Sequence, residues 1–250
     1  MSLRSKVPRN SRSGKNSNIM FISVAHNSPI IGLCASLKLA YNPRVAKLIE
    51  VHPTDPQPHR VGKIVERIRD GALIAYPTDS SYAFGCRIGD KKAIDRIHRI
   101  RRTDKKHNFT LVCADLSEIS VYARVDNWAY RLIKSLTPGP YTFILPATRQ
   151  LPKMLQNPKR RTIGIRVPDH TLVRAMLAEL GEPIMSSTLL LPGDELPLTD
   201  PVEIEERIGH EIEVIVDCGP TGLEPTSILD LSGGTVEVLR AGRGDISQFT

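Results

Sequence analysis

From about residue 47 onward, short apolar runs alternate with stretches in which apolar residues recur at helical spacing, and few folds accommodate that pattern. Val61, Ile64, Val65 and Ile68 share one helical face that Gly71 terminates, and Ala93, Ile94, Ile97 and Ile100 share another. Further helices are predicted over Asp115–Val121, Asn127–Leu136, Thr171–Leu180 (capped by Gly181) and Pro201–Ile208. Strands are predicted over Lys47–His52, Ala72–Tyr76, Phe109–Cys113, Tyr141–Leu145, Ile163–Val167, Pro183–Ser187, Val214–Asp217, Ser227–Leu231 and Thr235–Leu239. Alternating strands and helices bury both faces of a sheet, so the expected class is α/β: a single twisted mixed sheet with flanking helices.

Charge divides the chain differently. Residues 1–50 carry eight Lys and Arg side chains against Glu50 alone, which accounts for the whole formal net charge of +7. Residues 51–250 are neutral overall, so global charge is no argument that the body binds nucleic acid. Residues 1–45 read as a basic, poorly structured leader and 46–250 as one domain. No run reaches the ~20 apolar residues that cross a bilayer, and Cys34, Cys86, Cys113 and Cys218 show no C-x-x-C or metal-ligand spacing. The expectation is a cytoplasmic protein with reduced thiols, no metal site and no membrane partner. Neither G-x-G-x-x-G after the first strand nor G-x-x-x-x-G-K-[ST] occurs, so Rossmann and P-loop chemistry are not signalled.

Three segments place polar side chains at strand ends, where ligands of open α/β sheets bind. Thr78-Asp79-Ser80-Ser81 follows the strand ending at Tyr76; its competing reading is an ordinary turn that satisfies its own backbone. The basic stretch Arg96–Asn108 runs from a helix end through a loop into a strand; the alternative is a solvated helix face. Arg166 stands inside the apolar strand Ile163–Val167, which demands a partner or a polar cavity, and a structural salt bridge is the competing explanation. Ser186-Ser187-Thr188 and Arg240 repeat the pattern. Without a catalytic triad or a carboxylate dyad, these groups suit the positioning and electrostatic stabilisation of charged substrates in a basic hollow.

In order along the chain, YPTDSSYAFGC (Tyr76–Cys86), RIHRIRRTDKKHNFTLVC (Arg96–Cys113), TPGPYTFIL (Thr137–Leu145), TIGIRVPDH (Thr162–His170), EPIMSST (Glu182–Thr188), GLEPTSILDL (Gly222–Leu231) and LRAG (Leu239–Gly242) resemble the YrdC-like family of L-threonylcarbamoyladenylate synthases. The run HNFTL and the loop Leu191–Gly193 are similar to its YciO branch. The resemblance implies a twisted sheet with a concave, positively charged surface. It implies condensation of L-threonine, bicarbonate and ATP into threonylcarbamoyl-AMP and pyrophosphate, towards the t6A base of tRNA. Magnesium accompanies the ATP, no tightly bound cofactor is expected, and tRNA or double-stranded RNA is an implied partner. The competing implication is a divergent YciO-type paralogue that binds nucleotide or double-stranded RNA without this chemistry.

Carried over by position, Ser80 (Thr in the family), Arg166, Ser187 and Thr226 match threonine-contacting positions, and Arg101, Asn108, Thr162 and Arg240 match nucleotide-contacting ones. The Arg166→Ala variant is expected to lose turnover and keep its fold. Three positions depart from the family pattern. Thr103 replaces the second cation of a Lys-x-Arg pair, Leu189 replaces the Asn of Ser-x-Asn, and Cys113 stands where an imidazole is expected.

Overall fold

A computed structural model describes residues 46–104 and 107–249. The predicted leader, residues 1–45, lies outside the described residues. The strands are β1 (Lys47–Glu50), β2 (Ile74–Pro77), β3 (Tyr82–Arg87), β4 (Thr110–Val112), β5 (Tyr141–Pro146), β6 (Thr162–Arg166), β7 (Ile184–Thr188), β8 (Val214–Asp217), β9 (Ser227–Asp230) and β10 (Glu237–Arg240). The helices are α1 (Pro58–Arg69), α2 (Lys91–Arg101), α3 (Leu116–Tyr122), α4 (Asn127–Leu136), α5 (Thr171–Leu180) and α6 (Pro201–Ile208). All ten strands join one mixed sheet in the order β1-β8-β2-β3-β7-β4-β6-β5-β9-β10. Pairing is parallel for β1–β8, β2–β8, β4–β6 and β5–β9, and antiparallel elsewhere.

Local chemistry sets the helix limits. The Asp90 carboxylate accepts from the Ala93 amide at 3.0 Å and caps α2, whose far end closes on Arg102 in the left-handed region (φ 49°). Gly181, at φ 74°, ends α5 as the sequence predicts. One strand escapes sequence reasoning. β3 is buried on both faces, with five of its six residues enclosed, so no polar alternation announces it. It pairs as a hairpin with β2, and Gly85 is required there because a Cβ would come within 2.7 Å of the Tyr76 ring.

Each sheet face has its own apolar layer. One is filled by α2, α3, α4 and α6 and includes Phe84, Ile97, Leu111, Ile133, Phe143, Ile165, Met185 and Ile204. The other is filled by α1 and α5 and packs Ile64, Ile68, Val173 and Met176 against Ile74, Val112, Ile184 and Val214. This second layer contains no residue of β5, β6, β9 or β10. Side chains alternate along a strand, so Thr110, Gly164, Arg166, Thr142 and Ile228 share that second face. The two helices stop short of it, and this uncovered part of the sheet becomes a polar floor. Among the described residues, no helix is long and apolar enough to cross a membrane.

Candidate functional site

A cavity of about 350 Å³ sits over the floor and wraps the end of β7, so that Ser186 and Ser187, on opposite faces of that strand, both line it. Ser80, Arg101, Asn108, Arg166, Ser187, Thr226 and Arg240 all line it. Thr162 does not. It begins β6 on the same face as Gly164 and Arg166, and its carbonyl accepts from the Asn157 amide at 2.8 Å.

The β2–β3 turn forms one wall. Thr78 organises it: its Oγ1 donates to the Ser81 carbonyl at 2.8 Å, accepts from the Ser80 amide at 3.2 Å and lies 3.0 Å from Ser80 Oγ. This is the self-satisfied turn that the bland reading anticipates, yet it holds Ser80 at the cavity. Arg166 rises from the end of β6 and pairs with Asp79, while its Nη1 reaches Ser80 Oγ at 3.4 Å. Its Nε is buried without a partner. The salt bridge and the cavity position therefore coexist in one side chain.

The opposite wall comes from α2 and the segment before β4. Arg101 donates through Nη1 to Ser187 Oγ at 2.5 Å and to His107 Nε2 at 2.7 Å, and through Nε to the Leu190 carbonyl at 3.2 Å. Burial lowers the pKa of Arg101, and burial followed by the nearby Arg101 and His98 charges pushes the His107 imidazole down to about 4. The rest of the basic stretch divides as the solvated-face reading anticipates: Arg96 pairs with Glu213 at 2.6 Å and Arg99 with Glu211 at 3.5 Å, away from the cavity. Asn108 Oδ1 accepts from Asn157 Nδ2 at 3.0 Å.

The third wall is Arg240. Its Nε donates to the Thr226 carbonyl at 2.9 Å and its Nη2 to Thr226 Oγ1 at 3.1 Å, while Thr226 and Thr142 share a hydroxyl contact of 2.9 Å. Burial, then the proximity of Arg166, lowers the Arg240 pKa. Three guanidiniums thus face one hollow in which, among the described residues, Glu195 is the one lining carboxylate. Leu196, Pro197, Leu223 and Pro225 form an apolar rim. A polar floor and an apolar rim suit an anionic ligand with a flat or aliphatic part. No group of three or more His, Cys, Asp or Glu among the described residues is arranged to hold a metal ion.

Sequence reasoning missed Thr110 and Thr142, and it held Thr78, Ser186 and His107 within candidate segments without assigning them a role. Period-two alternation could have found Thr110 and Thr142, which share the face of Arg166. His107 was lost inside a basic run taken as one block. The three departing positions all turn away from the cavity. Thr103 Oγ1 lies 3.0 Å from His98 Nδ1, and Cys113 and Leu189 are fully buried in the apolar layer that α2, α3, α4 and α6 cover. Burial also raises the Cys113 pKa well above that of a free thiol.

A second concavity of about 870 Å³ lies beyond the β5–β6 end, lined by Arg124, Arg149, Lys153, Arg160 and Arg161. Asn157, which also lines it, joins it to Asn108 of the first.

The Sua5/yciO/yrdC family model, described as telomere recombination, matches residues 66–242. Escherichia coli YciO, an uncharacterized protein, is 47% identical over 205 residues, 82% of this chain and all of that one. Its crystal structure superposes with a TM-score of 0.79 over the same shares. A threonylcarbamoyl-AMP synthase of Vibrio vulnificus is 27% identical over 157 residues, 62% of this chain and 83% of that protein. P. abyssi Sua5 complexed with L-threonine has the same fold, with a TM-score of 0.73 at 24% identity, over 79% of this chain and 58% of that one. On the extent of the match, the chain belongs to the Sua5/YciO/YrdC family.

Proposed function

We propose that the protein is an L-threonylcarbamoyladenylate synthase acting in the cytoplasm on L-threonine, bicarbonate and ATP. The threonine nitrogen bonds to the bicarbonate carbon with loss of water. The carbamate oxygen then bonds to the α-phosphorus of ATP, and pyrophosphate leaves. The product would serve the t6A modification of tRNA. Magnesium enters as part of the nucleotide substrate, since among the described residues Glu195 alone brings a carboxylate to the cavity.

The observation that carries this reading is the convergence of Arg101, Arg166 and Arg240 on one hydroxyl-lined cavity. Arg166, with an unfilled Nε beside Ser80, suits an amino-acid carboxylate. Arg101 and Arg240 suit the phosphates. Catalysis would come from alignment of the reactants and from stabilisation of charge on the phosphorus. The synthase name of the Vibrio relative and the threonine bound by P. abyssi Sua5 support the same assignment. The test is pyrophosphate release from ATP in the presence of bicarbonate, with and without L-threonine, and detection of the mixed anhydride by mass spectrometry. Threonine-stimulated release is expected; ATP binding that no amino acid converts into release would end the synthase reading.

A second reading has its own observation. Thr103, Cys113 and Leu189 bring no polar atom to the cavity, and among the described residues the neighbouring basin is lined by Arg124, Arg149, Lys153, Arg161 and the Asp230-paired Arg160 with no acid in its lining. That surface suits the phosphates of nucleotide or double-stranded RNA held without synthesis. Here RNA binding should weaken steeply with salt and persist when threonine-dependent turnover is absent.

A further inference from the structure

The synthase reading uses the guanidinium of Arg101, gives Ser187 a substrate contact but no part in proton transfer, and leaves His107 idle. His107 Nε2 lies 2.7 Å from Arg101 Nη1 and 3.0 Å from Ser187 Oγ, and Arg101 Nη1 lies 2.5 Å from Ser187 Oγ. A guanidinium can only donate, so Nε2 is the unprotonated nitrogen and its one lone pair faces Arg101. The Ser187 hydroxyl is within reach of Nε2 and finds that acceptor taken.

The surroundings of the imidazole are otherwise fixed. Phe109 meets it edge-on at 5.2 Å and His98 at 6.3 Å between ring centres. His98 is itself engaged with Thr103. Among the described residues, the charged and titratable groups acting on His107 are Arg101 and His98 from α2 and Asp104 after it. Of these, Arg101 alone lines the cavity. Its Nε is tied to the Leu190 carbonyl, and the planar guanidinium moves as one body, so an anion that draws Nη1 from His107 must break that bond as well.

We propose that His107 and Ser187 form a proton-accepting pair that an anion in the cavity switches on by drawing Arg101 away. Once Nη1 turns to the anion, the Nε2 lone pair is vacated and the Ser187 hydroxyl turns to donate a hydrogen bond to it. Ser187 Oγ then presents a lone pair to the cavity. A bound N–H or O–H acid gives its proton to Oγ as the serine proton passes to Nε2. The imidazolium that results is offset by the anion that captured Arg101. This deepens the synthase reading: there the acid is the ammonium group of the amino acid, which must shed protons before its nitrogen can bond to carbon. Phosphate arrival and amine activation become one event.

The experiment follows the His107 ring by NMR against pH in the full chain, with pyrophosphate as the probe anion and H107Q to identify the signal. In the free protein the ring titrates near pH 4. Saturating pyrophosphate should raise that midpoint by about one pH unit, because the Arg101 charge is relieved while burial, the larger cause, remains. In R101M the midpoint should be raised already, and pyrophosphate should add nothing. Pyrophosphate that perturbs Ser80 and Thr226 while the His107 midpoint stays put overturns the switch and leaves the synthase reading standing. A normal rise in a protein that shows no threonine-stimulated pyrophosphate release does the reverse. Absence of any pyrophosphate binding removes the switch outright.

Discussion

Asp79 and Arg166 form an ion pair in which each side chain is only 9% exposed, and Asp79 Oδ2 also accepts the Asp169 amide at 3.1 Å. The turn before β3 is thereby pinned to the end of β6. The guanidinium keeps its Nε unfilled and its Nη1 toward Ser80, so a structural pair also aims a donor at the ligand space.

That pair corrects the expectation that Arg166→Ala spares the fold. Removing the cation leaves a buried carboxylate unpaired, which costs about 3–5 kcal/mol. R166A should show a clearly lowered urea midpoint. The double variant with Asp79→Asn and Arg166→Met should recover most of the loss, because no buried charge is stranded. A double variant no more stable than R166A would mean that the pair is not what holds the turn.

Arg240 differs because its partners are neutral. It binds the carbonyl and hydroxyl of Thr226 and is exposed to solvent, so Arg240→Leu strands no charge. Affinity for AMP or pyrophosphate should fall about 10–100-fold, the equivalent of one charge-assisted hydrogen bond of roughly 1.5–3 kcal/mol. Thermal stability should change little. Calorimetric titration of both ligands checks this, and unchanged affinity would take Arg240 out of the phosphate site.

The same contrast shows how much the sequence discloses. Helical spacing located Val61–Ile68 and Ala93–Ile100, because one-sided burial writes a period into the chain. β3 stayed hidden because burial on both faces erases that period. For the site, an Arg within an apolar strand revealed Arg166, and family motifs led to Ser187, Thr226 and Arg240. The partner of Arg166 was quoted in the first motif but not paired with it, since 87 residues of sequence separate the two. His107 is a site residue because it meets Arg101, the last residue of α2, across the chain reversal that begins at Arg102. Tertiary closure of this kind leaves no periodic trace.

His107 should also mark the stability of the protein against acid. Its folded pKa lies near 4, below the ordinary imidazole value of 6.5, so the unfolded chain binds more protons between those limits. The contribution is fully present above pH 6.5 and is lost as pH falls toward 4. Allowing for partial solvent exposure, the loss amounts to about 2 kcal/mol. Urea midpoints of the protein and of H107Q, compared from pH 4.5 to 7, should diverge by that slope. Parallel pH dependences would show that the imidazole is not held neutral by its neighbours.

Gly164 controls the space available on the floor. It lies in β6 between Thr110 and Thr142, and a Cβ there would stand 3.2 Å from Thr110 Oγ1 and 3.3 Å from Thr142 Cγ2. Both threonines line the cavity, so any side chain at 164 intrudes where a ligand must rest. Its backbone carries no positive φ, so alanine brings no dihedral strain. In G164A, the gain from replacing glycine in a strand, about 0.5–1 kcal/mol, should offset the tight contacts and leave the melting temperature nearly unchanged. Ligand binding should nevertheless weaken, and Gly164→Val, which adds two methyl groups to the same space, should abolish it. The diagnostic result is this separation of stability from affinity, read from thermal melts and AMP titration of the same samples. Tight AMP binding by G164V would mean that the nucleotide does not occupy the uncovered sheet face.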